Sequence, residues 1–412
     1  MEGSETQVVT ASAPEKYSRA ITPSEWWRSA IVLRGLVQEI QICVEGDGVI
    51  DPSALTAAIS TASQACPGAR LVRRGHHWVD SGTAPVLKVV HAADFDRTRL
   101  DSPLLRAQLT CYRSSCEVVL VQGKPATVIF RAHPGVMDGQ GVLLWQRQVF
   151  RALRGEALEG AASPLNRDMI MAEIATRLGI DLPPVQGPQP GPPWRSVLGK
   201  LPSGPRRSLW CRRTIDGAHT GVIGKIARLV TAYGDQDKDG LVAIPIELRG
   251  YLPDVRSTAG LGGLISIFVR EADDWSDVDA NLLTALDEHQ FLALRGDATW
   301  PSTPQPVMRG MAQWMDNLAR QNQDVIKEKK LAPFIASVSH LGTVELADFR
   351  ADGFEATSCY RLGAVAYVPA FEVVECRGRT ELTLAWRDGP GVRNRAEALL
   401  DWIEECLSRQ AD

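Results

Sequence analysis

From Val37 to Val44 apolar and polar residues alternate, the period-two pattern of a strand with one buried face. The spacing then becomes helical: Asp51 stands as an N-cap ahead of an Ala/Leu-rich body that runs to about Ala65. A further strand is predicted over Leu71–Val79. Two β-rich runs, Cys116–Val121 and Ala126–Ala132, are separated by Gln-Gly-Lys-Pro, which predicts a hairpin. Directly after the second run comes HPGVMDGQG, and then an apolar helix over Val142–Leu153 that Gly155 closes.

Between about Leu182 and Pro205 the sequence becomes LPPVQGPQPGPPWRSVLGKLPSGP. Prolines at this density remove backbone donors and fix φ, so neither helix nor sheet continues, and the stretch predicts a crossover between two lobes. Beyond it the pattern predicts strands at Ser208–Thr214, Leu241–Leu248, Leu264–Arg270, Phe334–His340, Ala364–Val374 and Glu381–Trp386. Helices are predicted around Thr220–Ala232, Asp277–Leu294, Met308–Lys329 and Arg393–Arg409. The expected division is a flexible N-terminal tail over 1–20, a first lobe over 21–181, the crossover over 182–205 and a second lobe over 206–412. Helices interleave with strands in both halves, so the class is α/β, or α+β with two sheets.

A chain of 412 residues exceeds one ordinary hydrophobic core, which agrees with two lobes. Its net charge of -4 gives no global basic field and argues against nucleic acid as the main partner. No stretch reaches the roughly 18 uninterrupted apolar residues of a membrane helix. The N-terminal MEGSETQVVTASAPEKYSRA lacks the basic and apolar regions of a secretory signal. Eight scattered cysteines, none in a CxxC pair, read as reduced thiols, so a cytoplasmic protein without structural zinc is expected. No GxGxxG or GxxxxGK[ST] loop indicates a nucleotide.

The segment RAHPGVMDGQG sits where a strand gives way to a helix. A histidine base in acyl transfer stands beside the incoming hydroxyl or amine and contributes about 10²–10⁴ in rate. A turn at a strand end holds such an imidazole rigidly. An aspartate a few residues on braces the turn through a salt bridge, and a glycine after it allows close backbone packing. The segment resembles the HHxxxDG motif of peptide-synthetase condensation domains, chloramphenicol acetyltransferase and the mycobacterial polyketide-associated acyltransferases. DSPLL at Asp101–Leu105, IPIELRGYLP at Ile244–Pro253, SVSHLGTVEL at Ser337–Leu346 and the C-terminal strand pair and helix are similar to segments of that family. Taken in order, they extend the resemblance over nearly the whole chain.

The resemblance implies two chloramphenicol-acetyltransferase-like lobes in a V-shaped pseudo-dimer around a central tunnel. It implies a structural role for Asp138, with Arg249 as partner, and matches Gly139 to the motif glycine. His133 falls on the first, mainly structural histidine. Pro134 replaces the second, catalytic one, and proline neither titrates nor donates from its backbone. Three readings follow. His133 is re-routed into the tunnel as the base; or the site promotes a step such as a cyclisation without a histidine base; or the chain is a non-catalytic binder of an acyl ligand or carrier protein.

The leading expectation is a condensation-type acyltransferase that forms an amide or ester in natural product biosynthesis. No cofactor is expected, since the thioester of coenzyme A or of a phosphopantetheine arm is the substrate. Partners would be a small-molecule acceptor, the acyl thioester and an acyl or peptidyl carrier protein, with no nucleic acid and no membrane.

Several other residues carry chemistry by type or place. His340, on the expected tunnel-lining strand, is an alternative base, and Ser337 and Ser339 are candidate hydrogen-bond donors to a carbonyl. Trp145, on the motif helix, either belongs to the core or shapes an acyl pocket. His76 and His77 sit in a strand and turn whose spacing to Asp80 is wrong for a second motif. Arg206, Arg207, Arg212 and Arg213 are either a solvated edge or an attractor of phosphates. His219 is expected on a helix surface. Trp26 and Trp27 either cap the entrance or staple the tail.

Overall fold

The computed structural model describes residues 16–32, 39–94, 102–182, 194–199, 208–233, 239–293, 332–363 and 368–409. The expected helix over 308–329 and Arg206 and Arg207 lie outside the described residues, as does the side chain of Trp27. The first half of the chain runs β1 (Ser18–Ala20), α1 (Pro23–Val32), β2 (Ile40–Gly48), α2 (Pro52–Ala65), β3 (Leu71–Arg74), β4 (His77–Asp80) and β5 (Val86–His91). It continues through α3 (Pro103–Arg106), β6 (Cys116–Gln122), β7 (Ala126–Ala132), α4 (Gly139–Leu153) and α5 (Arg167–Leu178). The second half runs β8 (Ser208–Asp216), α6 (Val222–Tyr233), β9 (Gly240–Glu247), β10 (Gly262–Val269) and α7 (Trp275–Asp287). It ends with β11 (Phe334–Val344), β12 (Phe354–Leu362), β13 (Ala370–Cys376), β14 (Arg379–Arg387) and α8 (Val392–Ser408).

Two mixed sheets organise two cores. The first sheet has the order β12-β2-β7-β6-β5, and the second β10-β9-β11-β13-β14-β8. Inward residues of β2 and β7 pair across the first sheet, Ile42 opposite Phe130 and Val44 opposite Val128, and all four are buried. One core includes Leu55 and Ile59 of α2 and Val142, Val149 and Phe150 of α4. The other packs Ile226 and Val230 of α6 and Leu399 and Ile403 of α8 with strand residues such as Val242, Val338 and Leu384. Burial of apolar side chains on the facing surfaces of helix and sheet holds each half together.

One strand departs from the linear division at residue 206. β12 pairs antiparallel with β2, Tyr360 opposite Cys43, so a late segment of the chain completes the first sheet. A buried ionic network also joins the sheets. The Arg212 Nη2 of β8 lies 3.1 Å from Glu45 Oε2 of β2 and its Nε 3.8 Å from Glu381 Oε2 of β14, with its guanidinium carbon 4.0 Å above the Tyr360 ring. Tyr360 donates its hydroxyl to Glu45 at 2.9 Å, while Ser358 and Thr214 donate theirs to Glu381 at 2.7 and 2.8 Å. Arg213 instead pairs with Asp401 and Glu404 of α8. Both described arginines of the expected phosphate cluster are therefore engaged in holding elements together.

Local chemistry accounts for the remaining differences from the sequence pattern. The strand expected over Leu71–Val79 is a hairpin, because Gly75, at φ 58, reverses the chain between β3 and β4. The helix expected to reach Leu294 ends at Asp287, beyond which His289 adopts φ 52. The strand expected from Ala364 begins at Ala370, residues 364–367 lying outside the described ones. β1, α1, β5, α3, α5 and β12 had no counterpart in the pattern, and β1 falls within the tail expected to be flexible. Cys406 is half-buried and the other seven cysteines are buried. No helix among the described residues is long and apolar enough to cross a membrane.

Candidate functional site at the motif turn

The turn between β7 and α4 is built from the helix inward. Asp138 is the N-cap of α4: its Oδ1 accepts from the Gly141 amide at 2.7 Å, which satisfies an otherwise orphaned helix donor. The same carboxylate accepts from Arg249 Nη2 at 3.0 Å and Nη1 at 3.2 Å, and from the Leu261 amide at 2.7 Å. Arg249 follows β9, so the Asp138–Arg249 pair ties the motif turn of the first half to the second. Burial would raise the Asp138 pKa, but the Arg249 charge and these hydrogen bonds hold it below the usual carboxylate range. Glu247, whose two oxygens share Arg249 Nη1 at 2.8 and 2.7 Å, is pushed up by burial and by the Asp138 charge.

The motif glycines are there because other groups fill the space of their side chains. A Cβ at Gly139 would sit 3.0 Å from Arg361 Nη1, and one at Gly135 3.0 Å from Ser29 Oγ of α1. At Gly141 it would lie 2.1 Å from the Thr258 carbonyl oxygen. Because that obstacle is backbone, Gly141→Ala is expected to cost about 1–3 kcal/mol or more through overpacking. A urea midpoint equal to the parent's would show that the 258 loop yields freely.

His133 directly follows β7, with its side chain turned into the protein. Its Nδ1 accepts from the Gly135 amide at 3.1 Å, and its ring lies tilted against Trp78 with centroids 6.1 Å apart. Only 2% of the residue is exposed. Burial, and then the Arg73 guanidinium, push the imidazole down to about 4. The imidazole thus accepts a turn hydrogen bond through Nδ1 and packs on Trp78, the contacts of a structural group. Pro134 beside it is buried and offers no proton acceptor on its ring.

The depressed imidazole gives a pH signature. The unfolded chain takes up a proton near pH 6.5 that the folded chain refuses until about pH 4, so stability falls as pH drops through that window. The shift corresponds to on the order of 3 kcal/mol. Replacement by a group that cannot titrate, His133→Gln, is expected to flatten the stability profile between pH 6.5 and 4. Denaturation midpoints with the same slope in both proteins would count against this assignment.

β11 presents its alternate residues to two sides. Ser339 and Leu341 face the motif turn: Ser339 Oγ accepts from Arg361 Nη1 at 3.1 Å, and Leu341 Cδ1 lies 3.1 Å from the Cβ position of Gly139. The Leu341 carbonyl accepts from the Gln140 side chain at 2.7 Å. Arg361 of β12 also pairs with Glu372 Oε2 of β13 at 2.9 Å, and Glu372, pushed up by burial, is restrained by Arg361 and Ser339. Ser337 is half-buried, its amide donating to the Pro369 carbonyl at 3.0 Å.

His340 points to the opposite face, as the period of two dictates. Its Nε2 lies 3.2 Å from Glu375 Oε2, and it is not a substitute base at the motif turn. Trp145 is wholly buried and packs edge-on against Phe130, centroids 5.1 Å apart, so it belongs to the first core and not to a substrate pocket. His219 is buried too, against the expectation of a surface residue. His76 and His77 are exposed at the β3–β4 turn. Among the described residues no group of three or more His, Cys, Asp or Glu is placed to hold a metal.

The sequence pattern did not single out Arg361, Glu372, Glu247 or Arg28. Arg28, on α1, is partly exposed and within electrostatic reach of Asp138 and Arg361. These side chains come from four elements far apart in the chain, and only folding assembles them.

No family model matches the sequence, and a comparison with curated proteins likewise finds none. Solved structures do match. Polyketide synthase associated protein 5 from Mycobacterium tuberculosis is similar at a TM-score of 0.61 and 14% identity, covering 95% of this chain and 97% of that one. The first condensation domain of the calcium-dependent antibiotic synthetase, in complex with a substrate analogue, gives 0.60 at 14% identity, covering 96% and 97%. A substituted starter condensation domain of rhizomide synthetase, in complex with C8-CoA and Leu-SNAC, gives 0.59 at 13%, covering 96% and 95%. At such identities the likeness is one of architecture: the chain has the fold of these condensation domains.

Proposed function

We propose that this protein joins the acyl group of a coenzyme A or carrier-protein thioester to a small-molecule acceptor in natural product biosynthesis, by placement of the reactants and without a histidine base. The observation that carries the reading is the motif turn: Asp138 caps α4 and is clamped by Arg249 from the other half of the chain, while Pro134 takes the place of the titratable histidine. Placement alone is worth about 7–11 kcal/mol in well-oriented reactions, whereas a general base adds a factor of about 10²–10⁴. Loss of the base therefore slows such a site without emptying it of catalysis. A neutral amine attacks a thioester carbonyl without prior deprotonation, so an amine acceptor suits this site better than an alcohol.

Incubation of the purified protein with acyl-CoA donors and amine or alcohol acceptors, read by mass spectrometry, tests the reading. An amide product is expected, with turnover per folded molecule retained in His133→Gln. Tight binding with every ligand recovered unchanged would instead favour a non-catalytic binder, which the buried His133 also accommodates. Turnover abolished in a well-folded His133→Gln protein would restore that histidine as base.

A further inference from the structure

α1, which carries Arg28, and Arg361 of β12 flank the motif turn, with Arg28 within electrostatic reach of Asp138 and Arg361. α1 packs directly on the turn, since a Cβ at Gly135 would meet Ser29 Oγ at 3.0 Å and the Glu25 carbonyl oxygen at 3.2 Å. Arg361 comes from β12, with its Nη1 3.0 Å from the Cβ position of Gly139. Each nearby carboxylate already has an arginine of its own. Glu25 pairs with Arg19 at 2.5 Å, Asp138 with Arg249 at 3.0 Å and Glu372 with Arg361 at 2.9 Å. Among the described residues Arg28 makes no hydrogen bond or ion pair, although it is partly withdrawn from water.

A guanidinium removed from solvent without a counterion is costly, and its planar fork of donors matches a carboxylate. We propose that Arg28, with Arg361 beside it, holds a carboxylate of the substrate against the Asp138 turn. The inference rests on the acyl-transfer reading and narrows it to reactants of which one, the acyl donor or the acceptor, carries a free carboxylate.

Two matched pairs test the proposal by titration calorimetry on the intact protein: succinyl-CoA against its methyl ester, and leucine against leucinamide. The phosphates of coenzyme A are common to the first pair and cancel. The carboxylate member of one pair is expected to bind at least about tenfold more tightly than its neutral counterpart, and the pair that shows the preference identifies which reactant carries the anion. In Arg28→Gln the preference disappears while the neutral member binds as before; Arg28→Lys keeps a weaker preference, because an ammonium lacks the fork.

Equal affinities within both pairs for the unsubstituted protein overturn the proposal, whatever the variants do. So does a preference that survives in Arg28→Gln. Neutral and charged thioesters bound equally well leave the acyl-transfer reading standing, whereas failure to bind any thioester or acceptor sinks both.

Discussion

Replacement of Asp138 by alanine is expected to destabilise the protein by about 3–5 kcal/mol, the typical consequence of stranding one member of a buried ion pair. The change leaves Arg249, largely withdrawn from solvent, with Glu247 alone as counterion. It also removes the acceptor for two amides, those of Gly141 and Leu261, and with the first the N-cap of α4, itself worth about 1 kcal/mol. Because the pair bridges the two halves of the chain, the loss falls on their junction as well as on one helix. Asp138→Asn, which keeps an acceptor oxygen and loses the charge, is expected to cost less.

The pH dependence of this deficit has a definite sign. An acid whose folded pKa lies below its unfolded value stabilises the fold above the unfolded value and ceases to do so as pH falls through the folded one. Asp138 is such an acid. The difference between parent and Asp138→Ala is therefore full at neutral pH and shrinks only below about pH 4. Guanidinium denaturation at several pH values measures it. Coincident midpoints at pH 7 would show that the clamp contributes nothing to stability.

Arg212→Met is expected to have an effect of similar size, about 3–5 kcal/mol, for a related reason. Glu45 and Glu381 are both buried, and Arg212 is the cation between them. Methionine fills the volume of the stem but leaves two carboxylates facing each other out of water without the guanidinium, while the hydroxyls of Tyr360, Ser358 and Thr214 still donate to them. Since Glu45 belongs to the first sheet and Arg212 to the second, part of the loss should appear as weaker coupling between the halves. A denaturation curve that separates into two transitions is the expected form, and addition of Glu381→Gln to the same protein should recover part of the stability. A single transition at the parent midpoint would mean that the network is neutral.

How far the site could be read from the chain is clearest at particular residues. Asp138 and its Arg249 partner were expected from a motif and a distant strand that resemble a known family, and the 3.0 Å contact is present. His133, Pro134 and Gly139 also lie together at the turn, but the direction of the imidazole was open. A sequence gives the residue at a strand end and not the rotamer that Gly135 and Trp78 impose on it. His340 was misplaced because its strand was recognised without its register; one step along a strand reverses the face. Trp145 was ambiguous because a helical apolar stripe looks the same whether it meets a core or a ligand.

By itself the sequence determined the alternation of helices and strands, the turn at the end of β7, the N-cap at Asp138 and the proline where a base would stand. These are local properties, set by periodicity, by capping chemistry and by the absence of a titratable group on one ring. Tertiary structure decided which residues share the site. It brought Arg28 of α1, Arg361 of β12 and Glu372 of β13 to one turn, and sent β12 to complete a sheet begun more than three hundred residues earlier by β2. Strand partnership and charge pairing between distant segments depend on which buried surfaces and ionic groups satisfy one another, and that balance is struck only in the folded chain.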